Sequence, residues 1–388
     1  MLFKFRVVVI EPVEPFTVLP VVSAKLAVTP NVIVSPFNSA SPFVNVKLPS
    51  EELKKFGDLV SSPYHNKKSA VTNLYKHIKK YAPEFKSPRL KKEKIWNVIY
   101  PGKEFHYGVL KNLIFDLTHL AEKFLSFEYY QRESHSFLYN MIDSINEREI
   151  INLFKSKFQI LEKYIEGAYK NKNDASEGYY LIMSKMYLLK FGFSNQFDRY
   201  SQIGEEFDKH TIFNASFFLY TIFRNSINAI NFSRDYIYNK DENIMVSFVK
   251  KADSNNLISE LIESIKPKSL EIYNILNAYH KYYKSVCDSS SSKKYFDFKE
   301  ALNLNSKNFS KPDKFILYSG LRNALAKLDS CEMNKSKEIL DIVILKIKYE
   351  VMLNPDGVVA ESEFAACIQS ACDMGNPDFI VDFTKRFI

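Results

Sequence analysis

The stretch LKNLIFDLTHLAEKFL, residues 110–125, decides the fold class. Leu110, Leu113, Leu117, Leu120 and Phe124 follow one another at spacings of 3, 4, 3 and 4 residues. That rhythm puts five large apolar side chains on one stripe of an α-helix and leaves charged residues between them. Ile114 and Leu125 widen the stripe. A helix with so broad an apolar face must bury it against other helices, so the stretch reads as the core-facing member of a bundle.

Working outward from this helix, the same period recurs. Pro49-Ser50-Glu51-Glu52 opens a helix with Ser50 as the expected N-cap and acidic residues in the first turn. Leu53, Phe56, Leu59 and Val60 form its inner face. After the turn at Ser62-Pro63, Val71, Leu74, Tyr75 and Ile78 mark a second helix ending near Pro83. Ser87-Pro88 separates it from a third over 91–100, carrying Ile95, Val98 and Ile99, which Pro101-Gly102 stops. Beyond residue 125 the pattern predicts one helix or two over 142–169, then helices over 179–191, 211–230, 257–265 and 270–283. A polar loop over 287–294 follows. Further helices are expected from Pro312, over 338–351, 364–374 and 379–388. First helices of successive pairs begin near Ser269, Pro312 and Glu361, a spacing of about 43–49 residues that fits a loose helical repeat. The fold expected is therefore all-α: a basic N-terminal helical bundle over 49–170, followed by α-solenoid-like helix-pair repeats over 171–388. Asp382-Phe383-Thr384-Lys385-Arg386-Phe387-Ile388 reads as the middle of an amphipathic helix, so a further closing helix is expected after it.

Residues 1–48 have a different composition. Twelve valines fall in the first 49 residues and only twelve in the other 339, and the same 49 hold seven of the fifteen prolines and no tyrosine. Prolines at that density forbid a long helix. The short apolar run Val7–Ile10 is followed at once by Glu11, Pro12 and Glu14, unlike a secretory signal, and no run reaches membrane-spanning length. This segment reads as non-helical: a disordered or weakly extended arm, a small β element, or a stretch translated from upstream or out-of-frame sequence.

The charge is localised. Eleven basic and two acidic residues lie between Lys67 and Lys103, giving that segment +9; with a formal total of +8, the remainder of the chain sums to −1. Such a stretch attracts polyanions, acidic protein surfaces or anionic lipid, or simply forms a solvated face. The candidate polyanion-binding residues are Lys76, Lys79, Lys80, Lys86, Arg89, Lys91, Lys92, Lys94 and Lys103.

The composition excludes several chemistries. The closest of the 10 glycines, Gly102 and Gly108, are six residues apart, so neither the dinucleotide-binding nor the P-loop glycine pattern exists. The seven histidines contain no H-x-x-x-H pair. Cys367 and Cys372, five apart, have no C-x-x-C partner to complete a zinc site and read as structural thiols of a reducing compartment. Glu205, Glu206 and Asp208 near His210 read as a solvated helix face. No catalytic, cofactor-binding or metal residue is assigned, and no small-molecule ligand is indicated.

Residues 51–125 contain EELKKFGDLVSSPYHNKK, LYKHIKKYAPEF and LKKEKIWNVIYPGKEFHYGVLKNLIFDLTHLAEKFL. This set resembles the start of a family of bacterial all-helical proteins of unassigned activity, with tetratricopeptide-like repeats. The shared marks are S-P-Y-x-N at Ser62–Asn66, with His65 standing where that family usually has Phe, and Lys92-Glu93-Lys94-Ile95 leading to Pro101-Gly102. CIQSACDMGNPDFIVDFTKRFI, residues 367–388, resembles that family's final repeats. The resemblance covers about 51–388 and implies a helical-repeat fold and a bacterial origin; the structural thiols add the expectation of a cytoplasmic location. Residues 91–125 are also similar to winged-helix regulators. That similarity implies a second helix in the major groove, offering Lys111, Asn112, Thr118 and His119, with Lys86–Lys103 meeting phosphates. The expected function is a non-enzymatic scaffold whose partner is another protein or peptide; the alternative is a DNA- or RNA-binding regulator using 67–103.

Overall fold

The computed structural model describes residues 49–388 except 84, 86, 133, 171–175, 198, 199, 289, 329–332, 355 and 388; of the segment before them it describes Val32–Ile33 and Asn45–Val46. Those two dipeptides, β1 and β2, pair antiparallel with Val32 opposite Val46. The rest of the Val/Pro-rich 1–48 segment lies outside the described residues. From residue 49 onward the described chain is all-α, and its packing divides it into two compact units between Ile142 and Asp143. The expected boundary near residue 170 falls beside 171–175, outside the described residues.

The first unit contains α1 (Ser50–Ser61), α2 (Ser69–Lys79), a 3₁₀ turn (Pro88–Leu90), α3 (Lys92–Ile99) and α4 (Tyr107–Arg132). The N-cap of α1 is Pro49, not Ser50. Leu53 N–H already donates to Pro49 O at 2.9 Å, and the proline's fixed φ of −54° feeds the chain straight into the helix. The apolar stripe of α4 performs as its spacing requires: Leu110, Leu113, Leu120 and Phe124 are buried and Leu117 partly so. Against it pack Leu53, Phe56 and Val60 of α1 and Val71, Leu74 and Tyr75 of α2. The Phe56 ring meets Tyr75 edge-on at 5.1 Å and Phe124 at 5.4 Å, so one aromatic joins three helices.

The turn between α1 and α2 is pinned by Asn66. Its side-chain amide donates to Val60 O (2.8 Å) and Thr72 Oγ1 (3.1 Å), while its carbonyl oxygen accepts from Lys68 N–H (2.9 Å). The S-P-Y-x-N segment therefore builds a turn. Gly102, at φ +74°, reverses the chain between α3 and α4, a conformation that suits a residue without Cβ.

The second unit begins within α5 (Ser134–Glu147), which no proline or glycine interrupts. It continues with α6 (Ile151–Lys170), α7 (Ser176–Gln196), α8 (Tyr200–Asp235), α9 (Ile244–Ser254), α10 (Leu257–Ile265), α11 (Leu270–Cys287), α12 (Ser292–Leu304), α13 (Lys311–Lys327), α14 (Lys335–Lys348), α15 (Glu361–Asp373) and α16 (Pro377–Phe387). Helices pack mainly on neighbours in sequence: α7 on α8, α9 on α10, α11 on α12, α13 on α14, α14 on α15 and α15 on α16, while α11 also meets α8 and α13. This is solenoid-like helix-pair packing. The stretch 142–169 is two helices, because Glu149 adopts φ +57° between α5 and α6. Asn256, at φ +59°, makes the equivalent break between α9 and α10. Among the described residues, no helix is long and apolar enough to cross a membrane.

Candidate functional surfaces

The structure places the candidate polyanion-binding residues on the rim of the first unit. Lys76, Lys79 and Lys80 lie at the C-terminal end of α2. Arg89 sits in the 3₁₀ turn, Lys91, Lys92 and Lys94 at the start of α3, and Lys103 in the turn after it. Lys92 is half-buried, the other described members are exposed, and Lys86 lies outside the described residues. The two groups are brought together because α2 packs on α3 and His77, buried on α2, contacts Arg89 O at 3.3 Å.

Around this rim the cations sit over aromatic rings. Lys79 Nζ is 5.8 Å from the Tyr75 ring centre, Lys92 Nζ is 5.0 Å from Tyr107, and Lys103 Nζ is 5.6 Å from Tyr100. Phe105 and Tyr107 are themselves exposed. Among the described residues, no carboxylate pairs with Lys76, Lys79, Lys80, Arg89, Lys91, Lys94 or Lys103. Two lysines elsewhere in the unit are engaged: Lys68 with Asp116 (2.6 Å) and Lys55 with Glu128 (2.9 Å). The outward face of α4 presents Lys111, Asn112 and His119, but also Phe115, 70% exposed, Asp116 and Glu122. α4 packs on α1 and α2.

The second unit offers a different surface. Phe218 of α8 and Phe248 of α9 are 45% and 47% exposed, and their rings meet edge-on at 6.0 Å. Ile244, one turn before Phe248, is 76% exposed. Three large apolar side chains thus stand together in water across the α8–α9 pair. Phe218 falls in the helix the sequence predicts over 211–230, whereas α9, which supplies the other two, lies outside the predicted helices.

The carboxylates near His210 are dispersed among separate partners. Glu205 pairs with Lys209 at 2.6 Å and Asp208 with Lys268 at 3.5 Å, while Glu206 is buried 4.0 Å from Lys190. His210 Nδ1 lies 2.9 Å from Ser184 O. Among the described residues no group of His, Cys, Asp and Glu could hold a metal ion. Cys367 is fully buried and Cys372 exposed; both are free, as is Cys287.

A buried polar centre escaped the sequence reading. Asp313, fully buried near the start of α13, accepts from Tyr220 OH (2.6 Å), Tyr279 OH (2.8 Å), Ser176 Oγ (2.6 Å) and Ser310 Oγ (2.6 Å). Burial, and then the Asp313 carboxylate, hold both phenols well above the ordinary tyrosine range, so they remain hydrogen-bond donors. Arg224 Nη1 donates to Tyr220 OH at 3.4 Å. The only legible part was local: Ser310 caps α13 by accepting from Asp313 N–H (3.2 Å), a Ser-x-x-Asp pattern typical of helix starts. The tyrosines, 93 and 34 residues away, looked like ordinary core aromatics. With every partner supplied by the chain and no solvent access, the centre joins α7, α8, α11 and α13 as a structural clasp.

No protein family, curated protein or solved structure matches the chain.

Proposed function

We propose that the protein is a non-enzymatic helical scaffold that binds another protein or peptide through its repeat unit. The observation that carries this reading is the Phe218–Phe248–Ile244 patch. Contiguous exposed apolar side chains cost solvation free energy, and on folded proteins they mark surfaces that a partner covers. Aromatic side chains are the usual anchors of such contacts because they bury much area with little loss of rotamer freedom. A solenoid-like stack presents such side chains in series, which suits an extended partner. The free thiols of Cys287, Cys367 and Cys372 support a reducing, cytoplasmic setting. A tetratricopeptide-like, bacterial assignment rests on the sequence resemblance and belongs to the same reading.

The test is affinity capture with the whole chain and with a Phe218→Ser/Phe248→Ser variant. Both substitutions are on exposed positions, so the variant should keep its thermal midpoint. The expected result is a stoichiometric protein partner retained by the wild type and lost by the variant. A partner retained equally by both, or none above the control, contradicts the reading.

A second reading is supported by the cation–aromatic rim of the first unit. Exposed Lys91, Lys94 and Lys103, near exposed Phe105 and Tyr107, combine phosphate contacts with surfaces on which bases can stack. We place it second because the outward face of α4 carries Glu122 and the exposed Phe115 where a groove-reading helix needs donors, and Asp116 there is paired with Lys68.

A further inference from the structure

A cavity of about 430 Å³ opens in the second unit where α8, α9, α11 and α12 meet the 3₁₀ turn Lys240–Glu242. Its lining holds four lysines against two aspartates. The lysines come from four elements: Lys240 from the turn, Lys250 from α9, Lys284 from α11 and Lys294 from α12. Two are committed: Lys294 pairs with Asp288 at 2.6 Å, and Lys284 lies 3.5 Å from Asp253. Asp253 is also committed, since His280 Nε2 meets its Oδ1 at 2.6 Å. Lys240 and Lys250 are exposed and have no carboxylate partner among the described residues. Asp241, also in the lining, follows Lys240 in the turn; four lysines against Asp241, Asp253 and Asp288 leave the cavity one positive charge in excess.

The remaining wall differs in character. Ile230 of α8, Val246 of α9 and Tyr283 of α11 give it an apolar side. The size falls in the range of small-molecule sites, and an apolar wall with a few converging polar groups is how such sites are built. Ammonium groups that converge from separate elements favour a compact, multiply charged anion over a single carboxylate, and lysine serves phosphate as a mobile point charge.

We propose that this cavity binds a small phosphorylated molecule, with its phosphate at Lys240 and Lys250 and its uncharged part against Ile230, Val246 and Tyr283. No sequence motif marks it, because Lys240 and Lys294 are 54 residues apart and no glycine-rich loop is involved. The site is separate from the Phe218–Phe248 patch: Val246, Lys250 and Asp253 line the cavity, whereas Ile244 and Phe248 form the patch. The proposal does not depend on the scaffold reading.

Cys287 lines the same cavity and is exposed, which supplies a reporter; Cys372, also exposed, lies on α15 and serves as the internal control. The experiment measures iodoacetamide labelling of each cysteine by peptide mass spectrometry, alongside calorimetric titration of the whole chain. The probes are inorganic pyrophosphate, ADP and, as the uncharged control, adenosine. Pyrophosphate and ADP should bind at one site and slow labelling of Cys287 without slowing that of Cys372, and adenosine should do neither. Lys240→Gln/Lys250→Gln should weaken both phosphate probes at least about tenfold. Lys91→Gln/Lys94→Gln, on the basic rim of the first unit, should leave both unchanged. The proposal is overturned by an absence of saturable binding, by equal protection from adenosine, or by sensitivity to the rim variant in place of the cavity variant. If the cavity variant fails to fold, selective protection of Cys287 in the wild type decides the question.

Discussion

Among the described residues, the unit that ends at Ile142 buries one polar side chain, His77, whereas the unit that begins at Asp143 buries Asp313, Lys346, Glu363, Arg224 and His280 together with several serines. The first unit is closed by a central helix: α4 offers a continuous apolar stripe, and α1 and α2 pack on it. Its charges can all remain on the outside, where they form the basic rim. The second unit is longer: α7, α9 and α11 pack on α8, and α12 and α13 pack on α11. Its pairs follow one another, and each interface must fix the position of the next pair. Polar groups do part of that fixing. Asp313 ties residues 137, 93 and 34 positions away, and Lys346 of α14 donates to Glu363 of α15 and to Ser319 of α13 (3.2 Å). Burial pulls the Lys346 ammonium below the ordinary lysine range, and the Glu363 carboxylate works against that. Apolar stripes give adhesion without much direction. Buried hydrogen bonds give direction, and their loss is costly because each leaves a desolvated partner behind. A small glycine adds to the same positioning: a Cβ on Gly320 of α13 would stand 2.6 Å from the Tyr282 ring of α11.

The single tryptophan, Trp96, lies in the first unit, so its fluorescence reads that unit while circular dichroism reads the whole chain. The largest effect is expected from Asp313→Ala, which strands two buried phenols and two hydroxyls. It should cost about 4–5 kcal/mol in urea unfolding followed by circular dichroism. The Trp96 transition should stay in place; a joint shift would show that the two units unfold as one. Next is Ile95→Ala in the first unit, which removes a fully buried side chain and should cost about 3 kcal/mol, seen in the Trp96 transition.

A smaller effect is expected from pH. Burial holds His280 below the ordinary histidine value of 6.5, against the opposing hydrogen bond to Asp253, with Lys284 adding to the depression. Below that value the unfolded chain binds a proton that native His280 does not, so stability should fall as pH drops through 6.5. Urea midpoints between about pH 7.5 and about pH 5.5 should show this loss in circular dichroism, and His280→Asn should flatten it. The smallest effect is expected at the basic rim. Lys91→Glu/Lys94→Glu touches exposed residues without ion-pair partners and should change stability by no more than about 0.5 kcal/mol.

These differences also explain what could be read from the sequence. The first unit is built from near neighbours, and its helices announce themselves through 3.6-residue periodicity and Pro/Gly stops. The α4 stripe, the end of α3 at Pro101-Gly102 and the basic rim were all legible. In the second unit α10, α11, α13 and α15 were legible in the same way. Two helices were not anticipated. α12 begins inside the serine-rich loop, and its KKYFDFKE run mixes aromatics with charges. α9 is a short helix whose start depends on the Asn243 side chain accepting from Met245 and Val246 N–H (3.0 and 3.1 Å). The Asp313 centre and the lysine-lined cavity both assemble residues from distant helices. Their parts are ordinary residues in ordinary helices until the packing brings them together.

The mode of action we propose is binding through an apolar protein surface and not the reading of nucleic acid. Its most direct test is a fluorescence-anisotropy titration of the whole chain with labelled duplex DNA, single-stranded DNA and RNA, from low to physiological salt. The account predicts no saturable binding of any of the three, even at low salt. Saturable binding that weakens steeply as salt rises, and that Lys91→Glu/Lys94→Glu abolishes, would contradict it and transfer the function to the basic rim.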